Sequence, residues 1–163
     1  MIRKLLNTTV TLAAATGMAL AFAGSAEAGT APSHGALSPA AGCSSASTLP
    51  IELNSFTFVP ATAAPGGQSA AILVTTNCTN LSVATSQTWL GQWLSASGTG
   101  IPSGCPVIDP LARAADYSPG QERVDSTGYT VPSGCTANAL KVTVRINSGS
   151  TTILTASATL SIS

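Results

Sequence analysis

From Leu140 onward the chain alternates apolar and polar residues almost without interruption, and this period constrains the fold more than any other feature. Leu140, Val142, Val144 and Ile146 alternate with Lys141, Thr143 and Arg145; Leu154, Ala156, Ala158, Leu160 and Ile162 alternate with Thr155, Ser157, Thr159 and Ser161. A period of two puts every apolar side chain on one face of an extended strand, whereas a helical period would scatter them around the axis. Asn147-Ser148-Gly149-Ser150 between the two runs can reverse the chain. The pattern predicts an amphipathic β-hairpin, apolar inward and hydroxylated outward.

Upstream segments read as further strands. Ile51 to Val59 is followed by Pro60, Pro65, Gly66 and Gly67, a dense group of turn formers. Ser69 to Asn77 is apolar on both alternating sets, Ala71 and Leu73 on one and Ile72 and Val74 on the other, as expected of a central strand covered on both faces. In 81–96, Leu81, Val83 and Thr85 alternate like a strand, while Trp89/Trp93 and Leu90/Leu94 have helical spacing; a strand broken near Gly91 is the favoured reading. Ser97 to Gly120, with four prolines, reads as a long irregular stretch, and Glu122 to Val131 as another strand. Short strands, Gly/Pro turns and no long helical pattern predict an all-β fold, an antiparallel immunoglobulin-like β-sandwich, with a small barrel as the alternative.

The N-terminus predicts export. Arg3 and Lys4 precede an apolar run from Leu12 to Gly24, which ends in Ala26-Glu27-Ala28. These are the three regions of a cleavable signal peptide, and the run is too short to span a bilayer. Residues 1–28 are thus expected to be a signal peptide, 29–50 a flexible lead-in rich in Ala, Ser, Gly and Pro, and 51–163 the domain. Without the signal, four Lys/Arg face five Asp/Glu, a balance that does not steer the chain toward nucleic acid or an anionic membrane.

Cys43, Cys78, Cys105 and Cys135 all follow the signal. Four cysteines in an oxidising compartment predict two disulfides, and their wide spacing, with one histidine in the chain, disfavours zinc. Successive antiparallel strands bring Cys43, before the first strand, and Cys78, after the second, to one end of a sheet. That favours Cys43 with Cys78 and Cys105 with Cys135, the other pairings remaining open. Cys105 and Cys135 end the near-identical segments Ile101-Pro102-Ser103-Gly104-Cys105 and Val131-Pro132-Ser133-Gly134-Cys135, in which Pro at the second and Gly at the fourth position fit a type I turn.

Catalytic chemistry has little to draw on. The single imidazole, His34, lies in the lead-in, and Asp109, Asp116, Glu122 and Asp125 show neither a calcium-loop pattern nor a recognisable acid/base pair. No catalytic residue, cofactor or metal is expected. Trp89 and Trp93 are candidates for a stacking surface against a glycan or protein, but the favoured reading is that one is the buried sandwich tryptophan and the other flanks it.

Two resemblances add to this. Cys105-Pro106-Val107-Ile108-Asp109-Pro110 is similar to the reactive-site stretch of the secreted subtilisin-inhibitor family, with one residue fewer before Asp-Pro. The likeness implies a disulfide-held loop that presents Val107 or Ile108 to a protease. Pro65-Gly66-Gly67-Gln68 leading into Ile72 to Asn77 resembles the start of bacterial extracellular immunoglobulin-like modules, which implies display, adhesion or spacing. The expected function is a secreted, non-enzymatic binding or structural module of a bacterial envelope or secretome. Its unknown partner is a protein or glycan. The alternatives are a protease inhibitor and a self-assembling surface or pilus-like subunit, the latter because the uncharged strand Thr151 to Ser163 would be association-prone at a sheet edge.

Overall fold

The structure is a computed structural model and describes residues 43, 44, 49–97 and 101–163. The expected signal peptide and most of the lead-in lie outside the described residues. Those residues form strands, turns and loops with no helix, so none is present that is long and apolar enough to cross a membrane.

The described residues form eight strands in two sheets: β1 (Ile51–Val59), β2 (Thr62–Ala63), β3 (Gln68–Asn77), β4 (Ser86–Leu94), β5 (Leu111–Ala114), β6 (Glu122–Thr130), β7 (Ala139–Ser148) and β8 (Thr151–Ile162). A three-stranded antiparallel sheet has the order β1-β3-β6, and a five-stranded sheet the order β2-β8-β7-β4-β5. The second sheet is mixed, because β2 runs parallel to the end of β8, pairing Thr62 with Ser161 and Ala63 with Ile162.

The β7–β8 hairpin forms as its alternation requires. Leu140 pairs with Leu160, Val142 with Ala158 and Val144 with Ala156, all buried, and their polar neighbours face out. From the other sheet Phe56, Phe58, Ala71 and Leu73 turn toward this layer, and the Phe56 and Trp89 rings meet edge-on across the core at 5.6 Å.

Both open corners between the sheets are managed. At one, the chain leaves the first sheet after β1 and joins the second as β2, and β1 runs close beside β8. The uncharged β8 is therefore paired along β7 on one side and, on the other, with β2 at Ser161 and Ile162 only, while β1 of the other sheet packs close by. At the other corner Arg113 of β5 donates from Nη1 to the carbonyl of Ser126 in β6 at 3.2 Å, tying the two edge strands together.

The two disulfides, Cys43–Cys78 and Cys105–Cys135, are those favoured from the sequence, with Cα–Cα distances of 5.7 and 4.4 Å. They staple opposite ends of the domain. Cys43 and Cys78 sit where β1 begins and β3 ends; Cys135 lies between the end of β6 and the start of β7.

Four local expectations are corrected. The Trp-containing segment is one continuous strand, β4, with no break at Gly91. The stretch from Ser97 to Gly120 is not wholly irregular, since β5 pairs with β4 and Val83 bridges to Tyr117. Strand β3 is central in its sheet but covered on one face only; Ala71 and Leu73 are buried, while Ile72 and Val74 are half-buried on the outer face. The Pro-Ser-Gly-Cys turn closes one residue later than expected, with the Cys135 amide donating to the Pro132 carbonyl, so Gly is its third residue.

Candidate functional site

The 101–110 loop begins in a pair of interlocked turns. The first Pro-Ser-Gly-Cys turn lies against the second, with the Thr136 amide donating to the Ser103 carbonyl. Gly104 has φ +69°, and a Cβ there would collide with the Gly134 carbonyl. Gly134 itself has no positive φ and open space around it. One sequence thus adopts two backbone conformations, because one copy must make room for the other.

Beyond the staple the loop is held at two further points. The indole Nε1 of Trp93 donates to the Pro106 carbonyl at 2.8 Å. Ile108 packs against Gly91 so closely that a Cβ on Gly91 would stand 2.9 Å from its side chain. Gly91 is therefore a site of close approach, filled by a side chain from outside the strand. Between these anchors Val107 is 82% exposed, and Ile101, at the start of the same segment, is 83% exposed. Of the two candidate contact residues, Val107 points outward and Ile108 packs against the core.

Trp89 and Trp93 are both buried, at 1% and 8% exposure, so neither ring offers an open stacking face. Trp89 is gripped on several sides: Phe56 edge-on, the Arg113 guanidinium 4.6 Å from its ring centroid, and its Nε1 donating to Gln87 Oε1 at 2.9 Å. Trp93 acts on the loop through its hydrogen bond to Pro106.

Sequence reasoning missed the polar network between the sheets. Fully buried Gln87 donates from Nε2 to Asp125 Oδ2 at 2.7 Å, and Arg123 grips the same carboxylate through Nε and Nη2 at 2.8 and 2.9 Å. Tyr117 and Thr75 share a buried hydroxyl–hydroxyl bond of 2.8 Å. A signal was present: Gln87 falls on the same alternating set as Trp89 and Trp93, and Arg123 and Asp125 share a face of β6. Burial pushes the Asp125 carboxyl up, but the bonds from Arg123 and Gln87 outweigh it and hold the group below its usual value. Burial raises the phenols of Tyr117 and Tyr129, for Tyr117 against the bonds to Thr75 and Gln87.

The other sequence candidates are dispersed. Asp116 accepts from the Thr85 amide, Glu122 accepts from Asn54, and Asp109 is exposed in the loop. His34 lies outside the described residues. Glu52 approaches the sulfurs of Cys43 and Cys78, but these are bonded to each other, and the carboxylate accepts from the Ser44 amide and hydroxyl. An open depression of about 490 Å³ lies at the end of the three-stranded sheet, bordered by Val59, Ala70, Gly128 and Thr130.

No family model and no curated protein matches this chain. Among solved structures it is similar to the Pseudomonas fluorescens alkylpurine DNA glycosylase AlkC bound to DNA containing an abasic site analog, at 10% identity and a TM-score of 0.51. The likeness is one of fold. It covers 72% of this chain and 31% of the glycosylase chain.

Proposed function

We propose that this chain is an exported, non-enzymatic binding module, an immunoglobulin-like β-sandwich that presents the stapled 105–110 loop to a protein partner. One observation carries the reading. Val107 stands 82% exposed between three fixed points: the Cys105–Cys135 bridge, the Trp93–Pro106 hydrogen bond and the seat of Ile108 on Gly91. An exposed apolar side chain on a pre-ordered loop binds with little further loss of conformational freedom. The paired disulfides suit an oxidising, extracellular setting. Two facing sheets, with the chain passing from one to the other between β1 and β2, support the sandwich assignment.

The same observation favours a second reading, a protease inhibitor in which Val107 enters the specificity pocket. Both are tested by comparing the wild type with Val107→Asp. For the binding module, a partner captured from the native secretome by the wild type is lost with Val107→Asp. For the inhibitor, wild type slows a panel of secreted serine proteases and Val107→Asp does not. Capture that is indifferent to Val107 would overturn the reading of this loop.

A further inference from the structure

The two outer faces of the domain differ in charge. On the outer face of the five-stranded sheet, the registers align Thr155, Arg145 and Thr88 in one row, Ser157, Thr143 and Leu90 in the next, and Thr159, Lys141 and Gln92 in a third. Lys141 and Arg145 are exposed, and neither has an ion pair or hydrogen bond among the described residues. The other two described cations are occupied, Arg123 on Asp125 and Arg113 on Gln87, Trp89 and Ser126.

Among the described residues no carboxylate belongs to the strands of this face. Glu52 and Glu122 belong to the opposite sheet, Asp125 is buried between the sheets, and Asp109 and Asp116 lie on connecting segments at the two ends of β5. Among the described residues, the two uncommitted cations thus lie on one side of one strand. Four residues of extended chain separate them by about 13 Å. Between and beside them are hydroxyl and amide groups, with Thr143 and Ser157 bonded to each other at 2.9 Å.

We propose that this face binds an anionic polysaccharide laid along β7. Lys141 and Arg145 each meet an acidic group of the glycan, and Thr155, Thr159 and Gln92 hydrogen-bond the sugar hydroxyls between. Charge complementarity selects the ligand, since a polymer with spaced negative groups matches two cations held apart on a rigid strand, and neutral glycans lose both charge-assisted bonds. The site is separate from the 105–110 loop and does not depend on its role.

The test uses the oxidised mature protein in affinity electrophoresis through gels containing polygalacturonate, neutral dextran, or no polymer. Polygalacturonate is expected to retard the wild type and dextran to leave it unshifted. Raising the salt from 50 to 200 mM should weaken the interaction about ten-fold, as expected for two released counterions. Lys141→Gln/Arg145→Gln is expected to lose at least about ten-fold in affinity with an unchanged melting temperature, and Lys141→Arg/Arg145→Lys to retain most of it. Val107→Asp should bind polygalacturonate as the wild type does.

Any of several results would overturn the proposal: no retardation of the wild type, equal retardation by dextran, or unchanged binding by the double Gln variant. Tighter binding to vesicles of anionic phospholipid, or to duplex DNA, than to polygalacturonate at equal salt would do the same.

Discussion

Gly104 and Gly134 occupy equivalent places in a five-residue segment that occurs twice, yet only Gly104 combines a positive φ with backbone contact where its Cβ would be. Gly104→Ala is expected to cost about 2 to 4 kcal/mol, from the left-handed conformation and from overpacking. Gly134→Ala should stay within about 0.5 kcal/mol. Thermal melts of the two variants side by side check this, and equal effects would refute the interlocked turns. Asp125 gives a second prediction at this scale. Its folded carboxyl titrates below the unfolded value of about 3.9, so the unfolded chain takes up its proton first as pH falls. The stabilisation is complete above that value and drains away as pH drops through the folded one. Asp125→Asn should lower stability by about 1 to 3 kcal/mol at pH 7 and flatten the loss of melting temperature below about pH 4.

At the scale of elements, β4 and the 105–110 loop form one unit, because Ile108 takes the space that a side chain at residue 91 would fill. Gly91→Val should displace Ile108, destabilise the domain by about 1 to 3 kcal/mol and release the loop around Val107. Limited proteolysis reads this directly: cleavage between residues 105 and 110 should be faster in Gly91→Val than in wild type. Ile108→Ala in the same background should restore part of the lost stability by removing the clash. The sequence left β4 ambiguous, because the alternation of Leu81, Val83 and Thr85 lies ahead of it while Trp89/Trp93 and Leu90/Leu94 have helical spacing, and the role of Gly91 was not legible at all. Its occupant comes from a loop seventeen positions later, and nothing local to Gly91 encodes that meeting.

For the whole molecule, the two bridges close long loops at opposite ends, with sequence separations of 35 and 30. In the chain-entropy picture each contributes about 3.5 to 4 kcal/mol. Removing either pair as Cys→Ala should lower stability by about that amount, a large share of the roughly 5 to 15 kcal/mol typical of a domain. Only loss of Cys105–Cys135 should also abolish the Val107-dependent interaction. Denaturant titration of the two double variants, with a binding assay on each, separates the stabilising role from the presenting one.

By itself the sequence determined the strand class, the β7–β8 hairpin and the inward positions of Leu140, Val142, Val144 and Ile146, and it favoured the cysteine pairing that the structure has. All of these follow from period-two alternation and the reach of a chain between neighbouring strands, which are local properties. Tertiary structure alone decided the passage of β1 into β2 beside β8, the pairing of β5 with β4, the burial of both tryptophans and the Gln87–Asp125–Arg123 network. Each depends on which strands become neighbours across a core, and side chains such as Gln87 or Asp125 tolerate burial only where distant partners complete their hydrogen bonds. Val107 projects for the same kind of reason: Cys135, Trp93 and Gly91, distant in sequence, hold its neighbours down and leave its own side chain exposed.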